Sequence, residues 1–158
     1  MKRLVYLMGL LFFSYSCDNA PVKNQLLEAK IDGKYFSFNG SADKYTDYKN
    51  NLKTGYEYQV YNHDKHSFLI EAYDKTFTKV IFNFPEFSVR YTVELDGGQS
   101  KTYEAVSGRF RILAAEQGNL RGDFSFHAKN ILNASDSVIL TEGYYDIFLE
   151  THDRSFPK

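Results

Sequence analysis

The sequence predicts an all-β domain, an antiparallel sandwich or barrel of about 9–11 short strands connected by hairpins. From Gln25 onward apolar and polar residues alternate, and no long stretch repeats its apolar residues with the helical period of about 3.6. Clusters typical of turns, such as Asp-Gly and Gly-Gly, separate the alternating runs at short intervals. Because no segment offers a helical crossover between parallel strands, these reversals favour antiparallel pairing.

The composition fits one ordinary globular domain. The chain has 158 residues, of which 43% are hydrophobic and 25% are charged, and these values exclude a disordered or collagen-like chain. The formal net charge of -1 leaves no basic footprint, so no nucleic-acid partner is expected. The single cysteine cannot form an intrachain disulfide, and the sequence lacks the Cys/His spacings of structural zinc sites.

The N-terminal segment has the layout of a secretory signal peptide. Lys2 and Arg3 precede an apolar run, 4–13, that is too short to cross a hydrocarbon core of about 30 Å. Cys17 follows Ser16 where such a signal is cleaved, and this arrangement resembles a bacterial lipoprotein signal. The resemblance implies that Cys17 becomes the first residue of the mature chain and carries palmitate-type acyl chains. The alternative is an ordinary signal peptide cut near Ser16, which leaves Cys17 as a free thiol.

These features divide the chain into four parts. They are a lipoprotein signal peptide over 1–16, a lipid-anchored flexible tether over 17–24, a single β domain over 25–152 and a C-terminal tail over 153–158. Loss of the two basic residues of the signal leaves 17 of the 19 basic residues against 20 acidic ones, a net charge of -3. Polybasic binding to a membrane surface is therefore not expected, and the N-terminal lipid would attach the protein to the membrane. The expected location is the cell envelope, at the outer membrane, facing the periplasm or the exterior.

The predicted strands follow the chain in order. The first two, 26–31 and 34–38, flank Asp32-Gly33, a dipeptide that favours a tight hairpin turn. Residues 39–53 are rich in Gly, Ser, Asp, Asn and Lys and predict a polar loop, with one helical turn around 43–48. Further alternating runs predict strands at 56–61, 67–73, 77–84, 88–95, 101–106, 109–115, 120–129, 137–141 and 144–150.

The clearest half-buried strand is 120–129. Its even-numbered residues are apolar or glycine and its odd-numbered residues are polar, and its expected partner is 109–115. A three-residue turn between the two would place Arg111 opposite Ser125, whereas a shift of the register would pair Arg111 with Asp123.

The outward side chains of these two strands form a candidate polar face. Guanidinium and carboxylate groups within reach of one another could bind an anionic or sugar ligand. The alternative is a solvated sheet face with cross-strand charge pairs, each worth about a few tenths of a kcal/mol. The residues concerned are Arg109, Arg111, Arg121, Asp123 and His127.

A group of tyrosines in and just after the predicted loop forms a candidate binding surface. Each tyrosine offers a rigid apolar face and a polar tip, which suits recognition of a protein or a glycan. Strands also favour tyrosine for packing alone, and alternation places two of the five on one face with Val60, where they would belong to the core. The five residues are Tyr45, Tyr48, Tyr56, Tyr58 and Tyr61.

No catalytic residue, metal site or cofactor is predicted. His63 and His66 flank a predicted turn, where their side chains are not expected to converge on a metal ion. His127 and His152 are isolated in the sequence and are predicted to be exposed surface groups. The motifs of nucleophile elbows, P-loops, zinc proteases and dinucleotide-binding folds do not occur.

Both ends of the mature chain carry a pattern of hairpin residues. Residues 122–128 read G-x-F-x-F-x-A, residues 141–147 read T-x-G-x-Y-x-I, and residues 29–36 read A-x-x-D-G-x-x-F. In these segments the chain resembles a family of small uncharacterised lipoproteins of Bacteroidota, a domain of unknown function. The resemblance implies an all-β, membrane-anchored protein, and it implies no activity.

We therefore expect an envelope-anchored module for non-enzymatic binding or structural interaction, with the tyrosine-bearing segment 39–61 as its surface. The alternative is a small hydrolase or lyase, which predicts polar groups with perturbed pKa values that converge in a concavity of the sandwich. A purely structural subunit predicts instead an exposed apolar patch or an unpaired edge strand.

Overall fold

The computed structural model describes residues 24–76, 78–116 and 118–156, which form ten β-strands. The all-β prediction is confirmed, while Cys17 and the predicted signal peptide lie outside the described residues. Within those ranges no helix has the length and apolar character required to span a membrane. The strands are β1 Gln25–Ile31, β2 Lys34–Asn39, β3 Ser41–Lys49, β4 Leu52–Tyr61, β5 His66–Asp74, β6 Ile81–Asn83, β7 Phe87–Glu94, β8 Ser100–Glu116, β9 Asn119–Asn130 and β10 Ser137–Phe156.

Backbone pairing joins most of these strands into a closed path. The path runs β3-β4-β5-β7-β8-β9-β10 and returns to β3, while β1 and β2 continue from β10 and β6 pairs with β8. Every pair is antiparallel except β10 with β3, which is parallel from Leu149↔Ala42 to Phe156↔Lys49. This last pair extends β10 through 153–156, which the sequence assigns to a C-terminal tail.

The predicted polar loop over 39–53 is wrong, because these residues form the end of β2, all of β3, a turn and the start of β4. The turn is Asn50-Asn51, whose φ angles of 53° and 63° are the combination that a tight hairpin turn of type I′ requires. Polar residues of β3 are buried instead of solvated, since Asp43 and Asp47 are only 8% and 4% exposed. Their side-chain partners come from β4 and β10, so polarity here does not indicate a loop.

Two predicted strand pairs are single long strands with irregularities in their pairing. β8 covers both 101–106 and 109–115, and β10 covers both 137–141 and 144–150. In β8 the chain passes Gly108 at a φ of 142°, where a Cβ atom would lie 2.4 Å from the Ser125 carbonyl oxygen. In β10 the irregularity lies around Glu142, with a φ of 49°. Such bulges bend a strand and increase its twist, which lets one strand serve several neighbours.

The inward side chains form one hydrophobic cluster rich in aromatic residues. Phe68 stacks on Tyr91 with ring centroids 4.9 Å apart, and Phe110 stacks on Tyr145 at 5.4 Å. Two local predictions are confirmed: the turn at Asp32-Gly33 joins β1 to β2, and the even-numbered residues of β9 are buried. The register places Arg111 opposite Asp123, the second of the two alternatives.

Candidate functional site

The two sides of β3 and β4 have different surroundings. Tyr58 is 7% exposed and packs in the core. The odd-numbered residues of these strands point to the outer side of the sheet. There the register sets Asp43 beside Gln59 and Tyr45 beside Glu57. The outer side of these strands therefore carries a continuous row of polar and aromatic side chains.

A groove of about 390 Å³ lies on this outer side, over β3, β4, β5 and β7. Tyr45 and Tyr61 contribute aromatic rings to its lining, and Asp43, Gln59 and Arg90 contribute a carboxylate, an amide and a guanidinium group. The volume falls within the range of pockets that hold small ligands. The other lining residues are Asn62, His63, Ser67, Phe68, Leu69 and Thr92.

The wall of the groove is fixed by hydrogen bonds. The Tyr61 hydroxyl donates to Asp43 Oδ2 at 2.9 Å. Burial, together with this bond to Asp43, raises the pKa of Tyr61 to about 12, so its hydroxyl keeps its proton near neutral pH. At the end of β4, the Asn62 side chain accepts a hydrogen bond from the Phe68 amide and donates to the His66 carbonyl. The ends of β4 and β5 are thereby held together beside the groove.

A histidine and a second carboxylate from β10 stand beside Asp43. His152 Nε2 donates to Asp43 Oδ1 at 2.9 Å, and the imidazole stacks on the Tyr45 ring with centroids 5.0 Å apart. Glu150 completes a cluster in which one potential ligand atom from each of the three side chains lies within 4.8 Å of the others. This arrangement can exchange protons or hold a metal ion.

Arg154 also contacts the Tyr45 ring. Its guanidinium carbon lies 4.3 Å from the ring centroid. Its Nε donates to Asp47 Oδ1 at 2.9 Å, and a terminal nitrogen donates to Glu57. Tyr45 is thus held by an imidazole and a guanidinium group, so a ligand would meet a ring whose orientation is already set.

A second hollow of about 140 Å³ adjoins the groove and shares Asp43 and Tyr61 with it. Asn24, the first described residue, lines this hollow, as does Glu150. Asn24, which precedes β1, therefore lies close to the candidate site.

The five tyrosines predicted as a binding surface do not all lie in the groove. Tyr45 and Tyr61 line the groove, whereas Tyr58 belongs to the core. Tyr56 is partly buried against the core, and the Lys44 ammonium lies 3.7 Å from its ring centroid. Tyr48 lies at the end of β3, past a register shift, opposite Lys53.

Asp43, His152 and Arg154 are site residues that the sequence does not predict. His152 is exposed, as predicted, and it also contacts Asp43. The sequence does show polar or aromatic side chains at every second position of the paired parts of the two strands. β3 reads Asp43-x-Tyr45-x-Asp47, and β10 reads Glu150-x-His152-x-Arg154. The parallel pairing of the two segments places these rows side by side, with Tyr45 beside His152 and Asp47 beside Arg154.

The predicted polar face lies on β8 and β9 as expected. Arg111 Nε donates to Asp123 Oδ2 at 2.8 Å, and Arg109 approaches the other oxygen of the same carboxylate at 3.6 Å. One aspartate therefore balances two guanidinium groups, which favours the interpretation as cross-strand charge pairs. Arg121 lies opposite Asp146, and His127 lies opposite Ser107.

The two histidines at the turn between β4 and β5 have separate surroundings. The His63 ring lies 5.3 Å from that of Tyr61 in the groove. His66 packs against Phe36 at 4.7 Å and its Nδ1 lies 2.5 Å from the Tyr91 hydroxyl. Burial lowers the pKa of His66, so a neutral ring is favoured there.

Comparison of the chain with protein-family models, with curated proteins and with solved structures finds no match. The resemblance to Bacteroidota lipoproteins stays a prediction from the sequence.

Proposed function

We propose that the protein is an envelope-anchored, non-enzymatic binding module whose outer groove holds a sugar unit of a glycan. The observation that carries this proposal is the pairing of the Tyr45 and Tyr61 rings with the polar groups of Asp43, Gln59 and Arg90 in one open groove.

The chemistry of the groove matches the two sides of a sugar ring. The C–H face of a sugar packs on an aromatic ring, and its hydroxyl groups exchange hydrogen bonds with carboxylate, amide and guanidinium groups. Because Tyr45 is already fixed by His152 and Arg154, little side-chain entropy is lost on binding.

The size of the groove favours a glycan over a folded protein partner. A stable protein interface covers about 800 Å² on each partner, whereas small-molecule sites have volumes of about 300 to 1,000 Å³. The groove of about 390 Å³ has the volume of a small-molecule site.

The membrane anchor is part of the same proposal and depends on Cys17 carrying a lipid. A tether over 18–24 reaches at most about 25 Å when fully extended, which would keep Asn24 near the membrane surface. Since Asn24 lines the hollow beside the groove, the groove would receive glycans close to that surface.

Binding of soluble oligosaccharides, measured by isothermal titration calorimetry, tests the groove. We expect Tyr45→Ala to weaken binding about tenfold, which corresponds to a loss of about 1.4 kcal/mol for one aromatic contact. The matched control is Tyr35→Ala, since Tyr35 is 60% exposed on β2 and does not line the groove. Equal losses in both variants, or no binding by any neutral or acidic oligosaccharide, would contradict the proposal. Cleavage of a bound oligosaccharide would favour the hydrolase or lyase alternative instead.

A further inference from the structure

The cluster of Asp43, Glu150 and His152 lies where β3 and β10 run parallel. Asp43 is paired with Glu150 in the register, and His152 is the next residue on the same side of β10. One ligand-type atom of each side chain lies within 4.8 Å of the other two. A single ion placed between them could contact all three after small side-chain movements.

Neighbouring side chains orient two of the three groups. Because the Tyr61 hydroxyl occupies Asp43 Oδ2, the other oxygen, Oδ1, is the one directed at His152. The Tyr45 ring stacks on the imidazole with an interplanar angle of 25° and so limits its rotation. Metal-binding side chains in proteins are commonly oriented by such outer contacts, and these contacts contribute to affinity.

The local charge favours a cation. Arg154, the nearest guanidinium on β10, is already paired with both Asp47 and Glu57. The carboxylates of Asp43 and Glu150 lie beside the imidazole of His152 within one cluster. Two carboxylates and one imidazole make a site that attracts a divalent cation.

The cluster also has space beside it for a further ligand. The hollow of about 140 Å³ is lined by Asp43 and Glu150, and the larger groove reaches Asp43 from the other side. A water molecule or a ligand oxygen could occupy a fourth position, as in open zinc sites with three protein ligands.

We propose that Asp43 Oδ1, a Glu150 carboxylate oxygen and His152 Nε2 bind one Zn²⁺ ion. On binding, the Nε2 proton leaves to solvent, and the nitrogen and Asp43 Oδ1 exchange their hydrogen bond for bonds to the metal. An imidazole with carboxylates suits Zn²⁺, whereas Ca²⁺ and Mg²⁺ prefer sites made of oxygen ligands alone. This site does not depend on the groove holding a sugar.

Calorimetric titration of the purified full-length chain with zinc chloride tests the site. All variants carry Cys17→Ser, which removes the only thiol that could bind zinc. We expect one Zn²⁺ per chain, affinity lowered at least about tenfold by His152→Ala and by Glu150→Gln, and weaker binding of Ca²⁺ than of Zn²⁺. The matched control is His63→Ala, which removes a histidine of the same groove outside the cluster and should leave zinc affinity unchanged.

Circular dichroism in the absence of metal checks that each variant is folded. Should His152→Ala fail to fold, Glu150→Gln keeps the shape of an exposed side chain and still removes a ligand charge. Absence of zinc binding in the parent chain, zinc binding that survives both substitutions, or an equal loss in His63→Ala would overturn the assignment. Oligosaccharide binding measured after chelation tests the groove separately, so the two proposals can fail independently.

Discussion

Replacement of Arg154 by alanine should weaken the protein because it leaves a buried carboxylate without its partner. Asp47 has a side chain only 6% exposed, and Arg154 Nε donates to it at 2.9 Å while another nitrogen reaches Glu57. Removal of one partner from a fully buried ion pair costs about 3 to 5 kcal/mol. The Arg154 side chain is 34% exposed and partly screened by water, so we expect a loss of about 2 kcal/mol in the free energy of unfolding.

The assay is equilibrium unfolding in urea, followed by circular dichroism and by tyrosine fluorescence, which is readable because the chain has no tryptophan. The matched control is Arg90→Ala. Arg90 approaches Glu104 at 3.9 Å with both side chains about 60% exposed, so its loss should cost no more than about 0.5 kcal/mol. Arg154→Lys should lower the free energy of unfolding by an intermediate amount. Lysine keeps the positive charge but lacks the planar guanidinium group that reaches two carboxylates. Equal destabilisation by Arg154→Ala and Arg90→Ala would refute this account of the ion pairs.

Two further predictions concern alkaline stability and the membrane anchor. Burial, with the bond to Asp43 for Tyr61, raises the pKa values of Tyr58 and Tyr61 to about 12, whereas an unfolded tyrosine titrates near 10. The folded chain therefore retains protons that the unfolded chain loses, so the free energy of unfolding should stay level below about pH 10 and fall between about 10 and 12. Tyr61→Phe should make this fall shallower in urea titrations, and a fall of the same steepness would contradict the assignment. Cys17→Ser should release the protein from the membrane fraction, and continued attachment would refute the lipid anchor.

The sequence predicts those parts of the fold that depend on neighbouring residues. Asp32-Gly33 favours a turn through the backbone preferences of its own two residues. The alternation in 120–129 arises because one side of the strand is buried and the other side faces solvent. The segment 39–53 departs from its prediction because polar residues are typical of solvated loops, whereas β3 buries Asp43 and Asp47. The turn residues Asn50-Asn51 were a local signal for the hairpin that the polar composition obscured.

The candidate site depends on distant residues and could be predicted only in part. Tyr45 and Tyr61 can be predicted as binding residues from the chemistry of tyrosine alone, without knowledge of which residues they contact. His152 and Asp43 are 109 residues apart in the sequence and meet through a parallel pairing that hairpin patterns do not indicate. Once that pairing is known, the register identifies Asp47 and Arg154 as partners and places Glu150 and His152 near Asp43.

The parallel contact between β3 and β10 also bears on when the site comes into existence. Asp47 and Arg154 are separated by 107 residues, so the loop between them must close before the two strands can meet, and contacts of such long range form slowly. The Asp43 cluster lies across this contact, since Asp43 belongs to β3 whereas Glu150 and His152 belong to β10. A chain that ended before Glu150 would lack two of the three side chains of this cluster, even with most of its core in place. Conversely, an ion bound by this cluster would stabilise the folded protein, since its ligands come together only where β3 and β10 are paired.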